Sequence, residues 1–377
     1  MKRRPDRLER LPEQYFGALL ARVQAAAARG GEPIVDLGRG NPEVGPPPHV
    51  VEAAQRAVAD PRAHGYAPFR GLPELRESLA RRYSSLYGVE LDPVAEIAVL
   101  PGTKSALVEL SLVTAERGQA VLLPDPGYPD YPSGVALAGA RREALPLDRD
   151  DGWRPRFDLA PRDDVAAFFL NYPSNPCAVA APEGAFEQAV DFARETGSAA
   201  VHDFAYGDIV FGGRAPRSFL ATPGAKGVGV EMFSMSKSFG MAGWRLGFVV
   251  GNAELVERIN LMNDHTRVGV FRPIQEAALA AFEGPQESVA ERIATYERRR
   301  DRVLAALPVD TACEGTFYIW IEPPPGLTAA ALLTDHRVAV APGEGFGARG
   351  AGWIRLSLAV EDETLERGLE RLVRAFG

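Results

Sequence analysis

Cysteine is almost missing from this 377-residue chain. Cys177 and Cys313 stand far apart, without the spacing of a metal-binding pair. Neither a disulfide framework nor a thiolate metal site is expected, and such usage suits a reducing cytoplasm. The five histidines are scattered and form no ligand cluster. No apolar run approaches the roughly 18 residues of a membrane-spanning helix. The opening MKRRPDRLER has no apolar core after its charges, so no secretory signal is expected. Its basic run is offset by Asp6 and Glu9 and reads as a solvated arm. Positive charge is in deficit overall, at a net −8, which removes the global basic footprint of a nucleic-acid binder. There is no internal repeat. What is present is ordinary for a soluble globular protein, 46% hydrophobic and 24% charged. The length allows one large domain and a smaller one.

Strand-like and helical runs alternate through the first three quarters. EIAVL (96–100), AVLLP (120–124), AAFFLNYP (166–173), SAAVHDF (198–204), VGVEMFS (228–234) and RLGFVVG (245–251) are mostly apolar on both faces. Helical patterns over 105–117 and 182–196 separate some of them. Strands of that kind are buried on both sides, so the fold class expected is α/β, a mostly parallel sheet between helix layers. Near residue 285 the texture changes: a long charged helix over 287–307, then TFYIWIE, VAVAPG, WIRLSLAV and a last helix. This predicts residues 41–284 as the large domain and 285–377 as a smaller α+β domain, with 1–40 as an arm that joins the small one.

Ligands of α/β sheets sit at the carboxyl ends of the strands. The first such end carries Gly102-Thr103-Lys104, where free backbone N–H groups at a helix start suit a phosphate. The second, PDPGYPDY, offers Tyr128 and Tyr131; the third, NYPSNP, holds Asn175 before a proline. HDFAY supplies Asp203 and Tyr206, the fifth end Ser234, Ser236 and Lys237, and Arg245 opens the sixth run. Singly, each has an ordinary use: a turn, a helix cap, a packing aromatic, a solvated lysine. Together they provide an amine, a carboxylate, phenols, an amide, an aromatic face and a phosphate cradle. Pyridoxal 5′-phosphate needs that set. Its aldehyde takes an amine, its pyridine nitrogen needs a buried carboxylate to stay protonated, and its phosphate wants arginine, serine and helix amides.

SMSKSFGMAGWRLGF (234–248), with motifs from DLGRGNPE (36–43) to WIRLSLA (353–359), resembles the class I/II aminotransferase family, fold type I of the pyridoxal-phosphate enzymes. LPEQYFGALL, PDPGYPDY, PGAKGVGVEMFSMSKS (223–238) and GVFRPIQEAALAAFEGPQ (269–286) are similar to its LL-diaminopimelate aminotransferase-like group. The resemblance implies transfer of an amino group from an L-amino acid to a 2-oxo acid through a Lys237 Schiff base. It implies that Lys237 also shuttles the proton and that Asp203 pairs with the pyridine nitrogen. Tyr206 and Asn175 are implied to donate to the phenolic oxygen, with Tyr128 stacked on the ring. Gly102, the Thr103 and Lys104 amides, Ser234, Ser236 and Arg245 are implied to hold the phosphate, while the Lys104 side chain either adds its charge or turns to solvent. Tyr66 matches a tyrosine that reaches the neighbouring subunit's phosphate, which implies a homodimer with shared sites. Arg355 matches the grip on the substrate α-carboxylate, and Gly40 and Asn175 lie against the substrate.

The pattern departs from the family in places. Asn175-Pro176-Cys177-Ala178 replaces the usual Asn-Pro-Thr-Gly, so Ala178 predicts a different loop path, and Ala242 stands where threonine is usual. Arg267, with Arg70, adds cations in segments the family places near the substrate. Arg267 therefore faces either a distal anionic group of the substrate or an acid of the neighbouring subunit. A second activity on the same cofactor stays open: elimination, replacement or carbon–carbon bond formation in specialised metabolism.

Overall fold

The computed structural model describes residues 4–377. After the helix Tyr15–Ala28 comes β1 (Val35–Asp36). Then follow β2 (Ile97–Leu100), β3 (Ala120–Asp125), β4 (Arg141–Asp148), β5 (Arg154–Pro155), β6 (Val165–Asn171), β7 (Ala199–Asp203), β8 (Gly229–Ser234) and β9 (Gly247–Gly251). These last eight form one sheet in the order β2-β9-β8-β7-β6-β3-β4-β5. Five neighbouring strands, β8-β7-β6-β3-β4, run parallel, while β9 and the edge strand β5 are antiparallel to theirs. The apolar-on-both-faces pattern explains this placement. Phe168 and Leu170 pack toward Phe186 on one side of β6, and Ala167 and Phe169 join Leu107 and Ile259 on the other. Helices Thr103–Thr114 and Ala253–Thr266 cover the second face; Pro73–Tyr87, Ala185–Thr196 and Arg272–Glu283 cover the first.

β4 has no counterpart among the anticipated runs. Its first residues, Arg141 and Arg142, are exposed, and only Leu145 and Leu147 turn fully inward, so it lacks a continuous apolar signature.

Beyond the long helix Glu287–Ala306 come β10 (Tyr318–Ile321), β11 (Val338–Ala339), β12 (Ala341–Pro342) and β13 (Ile354–Ser357). β10, β13 and β12 make an antiparallel sheet, and β1 pairs in parallel with β11, Val35 opposite Val338. Val35 and Leu37 are buried with Ile319, Leu356 and the Leu365, Leu369 and Leu372 face of the last helix, Asp362–Phe376. Each such side chain contributes about 2 kcal/mol of burial, which holds the segment after the first long helix against the C-terminal part of the chain.

Register puts three strand tips side by side. Asn171 is opposite Asp203, Asp203 opposite Met232, and Ser234 ends β8 opposite Gly247.

Candidate active site

Lys237 follows directly on the tip of β8, in the short helix Met235–Ser238 that the Ser234 side chain caps by accepting from Ser236 N at 3.2 Å. Its Nζ donates to the Gly40 carbonyl at 3.2 Å and lies 5.1 Å from the Phe317 ring and 5.7 Å from Tyr206. Burial first, and the Arg355 charge second, lower this amine to about 8, while Asp203 pulls the other way. A neutral, nucleophilic fraction is therefore available close to neutral pH.

Asp203 ends β7, buried. Tyr131 Oη donates to its Oδ2 at 2.9 Å and Ala205 N to its Oδ1 at 3.2 Å. Burial raises the carboxyl above its usual range, and the Tyr131 hydrogen bond opposes that rise. The neighbouring tip is tied to it: Asn171 Nδ2 donates to the Asp203 carbonyl at 2.8 Å, and Asn175 N to Asn171 Oδ1 at 2.7 Å. Tyr128 stands edge-on to Tyr131, with ring centroids 5.6 Å apart. Tyr206 Oη donates to Tyr318 Oη at 3.2 Å.

Arg355, on β13, is fully buried. It donates to Asn175 Oδ1 at 2.7 Å and to the Gly38 carbonyl at 3.3 Å, and its guanidinium sits 3.8 Å from the Tyr318 ring centroid. Its Nε has no hydrogen-bond partner, and no acidic side chain among the described residues pairs with it. A buried guanidinium without an anion is costly unless a ligand brings one. Gly40 lies beside it, and a Cβ there would come within 2.7 Å of the Tyr318 Cζ, so only glycine fits.

The helix Thr103–Thr114 starts without a side-chain cap, leaving its first N–H groups free. A Cβ on the preceding Gly102 (φ +88°) would press within 2.9 Å of the Arg245 Cζ, which locates that guanidinium over the helix start. Ser236 is buried nearby in sequence to Ser234, whereas the Lys104 ammonium is drawn off to Asp130 at 2.7 Å, leaving only its backbone to an anion. A cavity of about 300 Å³ is lined by Gly40, Thr103, Lys104, Tyr128, Asn175, Asp203, Tyr206 and Lys237, while Arg355, Arg245, Gly102, Ser234 and Ser236 adjoin these residues outside the lining itself. An enclosed amine, a buried carboxylate, an aromatic ring and uncapped helix amides under an arginine fit pyridoxal 5′-phosphate.

The structure does not bring every anticipated residue there. Arg267, just after the helix Ala253–Thr266, is occupied by an ion pair with Glu109 of its own chain and donates to Ser105 Oγ at 3.4 Å. The reason is electrostatic: Glu109 is only 4% exposed and needs a cation. Arg70 is likewise held, by Glu257 at 2.7 Å and Asp264 at 3.4 Å. Tyr66 projects away from its own chain, 86% exposed. Ala178 adopts the left-handed backbone (φ +60°) that glycine takes without strain, at a cost of roughly 1 kcal/mol. Cys177 is buried beside it, and burial pushes its thiol far up.

Tyr318, Phe16, Asn41 and Asn171 also line the cavity and were not singled out from sequence. Applying the strand-end rule one residue earlier would have reached Asn171. Phe16 and Tyr318 come from the first long helix and the small sheet, with no local signal.

The family described as aminotransferase class I and II matches residues 32–372. An L-glutamine–4-(methylsulfanyl)-2-oxobutanoate aminotransferase of Bacillus subtilis is 44% identical over 97% of this chain and 94% of its own. An LL-diaminopimelate aminotransferase of Dehalococcoides mccartyi is 36% identical over 97% of each. The substrate-bound BacF structure from Bacillus subtilis superposes with a TM-score of 0.93 at 36% identity, covering 99% of this chain and 98% of that one. The α/β architecture, the cavity and these likenesses agree, and the chain belongs to the class I and II aminotransferases, pyridoxal-phosphate-dependent enzymes that move an amino group from an amino acid to a 2-oxo acid.

Proposed function

We propose that this enzyme exchanges amino groups between amino acids and 2-oxo acids with uncharged side chains, with Lys237 as the covalent attachment point. The carrying observation is the distribution of positive charge. Arg355, beside the cavity, is buried without an acid, while Arg267, Arg70, Lys104 and Arg39 are each paired with one. One carboxylate is therefore provided for, and a second finds no free guanidinium in this chain's share of the cavity. Phe16, Leu107 and Tyr128 offer apolar wall instead. The substrates named for the 44%-identical relative, glutamine and 4-(methylsulfanyl)-2-oxobutanoate, have uncharged side chains, which supports the reading.

The bound cofactor supplies an electron sink for the pair released when the substrate Cα–H bond breaks. Asp203 Oδ holds the proton on the pyridine nitrogen, steadied by Tyr131. Asn175 Nδ2, whose amide oxygen is taken by Arg355, donates to the phenolic oxygen, and so does Tyr206 Oη once its proton turns from Tyr318 Oη, which then donates to it. Arg355 orients the α-carboxylate so that Cα–H faces Lys237 Nζ, which removes that proton and returns it. Arg245, Ser234, Ser236 and the amides after Gly102 hold the phosphate. We further propose a cytoplasmic homodimer in which exposed Tyr66 completes the partner's phosphate site.

Steady-state kcat/KM for glutamine, methionine and phenylalanine against aspartate and glutamate tests the proposal. Uncharged donors should lead by tenfold or more, about the 1.4 kcal/mol of one unmade pairing. A preference for the dicarboxylates overturns it.

A further inference from the structure

The tips of β6, β7 and β8 carry Asn171, Asp203 and Ser234, and alternate residues of a strand face opposite sides. On the far side of the sheet, at the same level, stand His202 and Glu231, cross-strand partners and both 0% exposed. His202 Nδ1–H donates to Glu231 Oε2 at 2.8 Å, and its Nε2 accepts from Tyr172 N at 3.3 Å and lies 3.0 Å from the Tyr172 carbonyl, just past the tip of β6. Glu231 also accepts from Tyr83 Oη at 2.8 Å, Ser218 Oγ at 3.0 Å and Phe219 N at 2.9 Å. Around them the layer is aromatic, with the Phe186 ring 5.0 Å and the Phe204 ring 5.2 Å from the imidazole.

An acid and an imidazole are an expensive way to fill such a layer. Apolar side chains of the same volume are often as stabilising or more so. What the polar pair adds is a bridge perpendicular to three strands. It is continuous with the catalytic side, because Tyr172 leads through Pro173 and Ser174 to Asn175, the acceptor of Arg355, and His202 is the residue before Asp203.

We infer that His202, anchored by Glu231, is a positioning residue that fixes the Asn175 loop and the Asp203 tip from behind the sheet. This rests on the reading of the cavity given above. His202→Asn keeps a donor near Nδ1 for Glu231 and gives up the contact with Tyr172; His202→Gln places its amide near Nε2 and restores it. In His202→Asn the KM for the 2-oxo acid and the dissociation constant of pyridoxal 5′-phosphate, followed by absorbance, should each rise on the order of tenfold, the scale of losing a partner that orients a site ligand. kcat should move less, and His202→Gln should recover the KM. A lowered melting temperature with unchanged KM and cofactor affinity would make the pair a core element only and overturn the inference. Should His202→Asn fail to accumulate, Glu231→Gln, which removes no heavy atom, takes the same readouts with the same two outcomes. Borohydride labelling of the wild type separates the two levels. A pyridoxyl group away from Lys237 sinks the reading of the cavity, whereas a correctly labelled wild type with an indifferent His202→Asn sinks only the brace.

Discussion

Lys237 and Asp203 are both buried, and burial drives them in opposite senses. The ammonium falls from 10.5 to about 8, with Arg355 reinforcing burial, while an unfolded lysine keeps its proton to much higher pH. Between those values the unfolded chain binds more protons than the folded one, so stability rises with pH. The cofactor-free protein should therefore gain on the order of 3 kcal/mol from this group as pH climbs from about 8 to about 10.5, and show none of that gain below 8. Thermal unfolding of wild type and Lys237→Met across that window checks it; parallel profiles would remove the low-lying titration from Lys237. For Asp203 the expectation concerns turnover. Asp203→Asn should keep fold and cofactor but lose about 10²-fold or more in kcat, since an amide cannot hold the pyridinium proton. Near-normal single-turnover rates in the variant would take Asp203 out of that role.

Among the elements, the start of the helix Thr103–Thr114 has the sharpest geometric demand. Gly102 lies at φ +88°, and any side chain there meets the Arg245 guanidinium. Gly102→Ala should push that guanidinium off the helix start and weaken pyridoxal 5′-phosphate roughly tenfold. The backbone itself is charged about 1 kcal/mol for a Cβ at positive φ. Titration of the cofactor-free variant would show this, and inorganic phosphate should compete less well than in wild type. This corner was legible in the sequence because its signal is local: an apolar run, then small residues, then a helix. β4 was not legible, because a strand whose first three residues are charged and whose first two are exposed has no apolar run to find, even though it is paired on both sides. The helix beginning at Thr103 was expected at 105, a shift that frayed ends make ordinary.

For the molecule as a whole, the pairing of Arg267 with Glu109 joins two helices that are far apart in the chain. Arg267→Ala should leave Glu109 buried without its cation, at a cost on the order of 3 kcal/mol. Activity toward charged and uncharged substrates should then fall alike. A loss confined to acidic substrates, read from kcat/KM for the two sets, would return Arg267 to the substrate. The proposed homodimer gives Tyr66 a role in the partner's site. Inactive Lys237→Ala and Tyr66→Ala proteins, mixed and allowed to exchange subunits, should recover activity through hybrids that contain one intact site. If mixtures stay as inactive as their parents, the shared site is wrong.

Sequence alone determined the apolar strand runs other than β4, the order of the functional groups at their ends and the cofactor those groups suit, because periodicity and strand-end chemistry are local properties. It could not determine which cations remain free, since Glu109 finds Arg267, and Asp130 finds Lys104, only when helices pack. Nor could it reveal Tyr318 stacked on Arg355, or His202 bridged to Glu231 and Tyr172. Those partners come from distant segments, and only tertiary packing sets their distances, burial and charge balance.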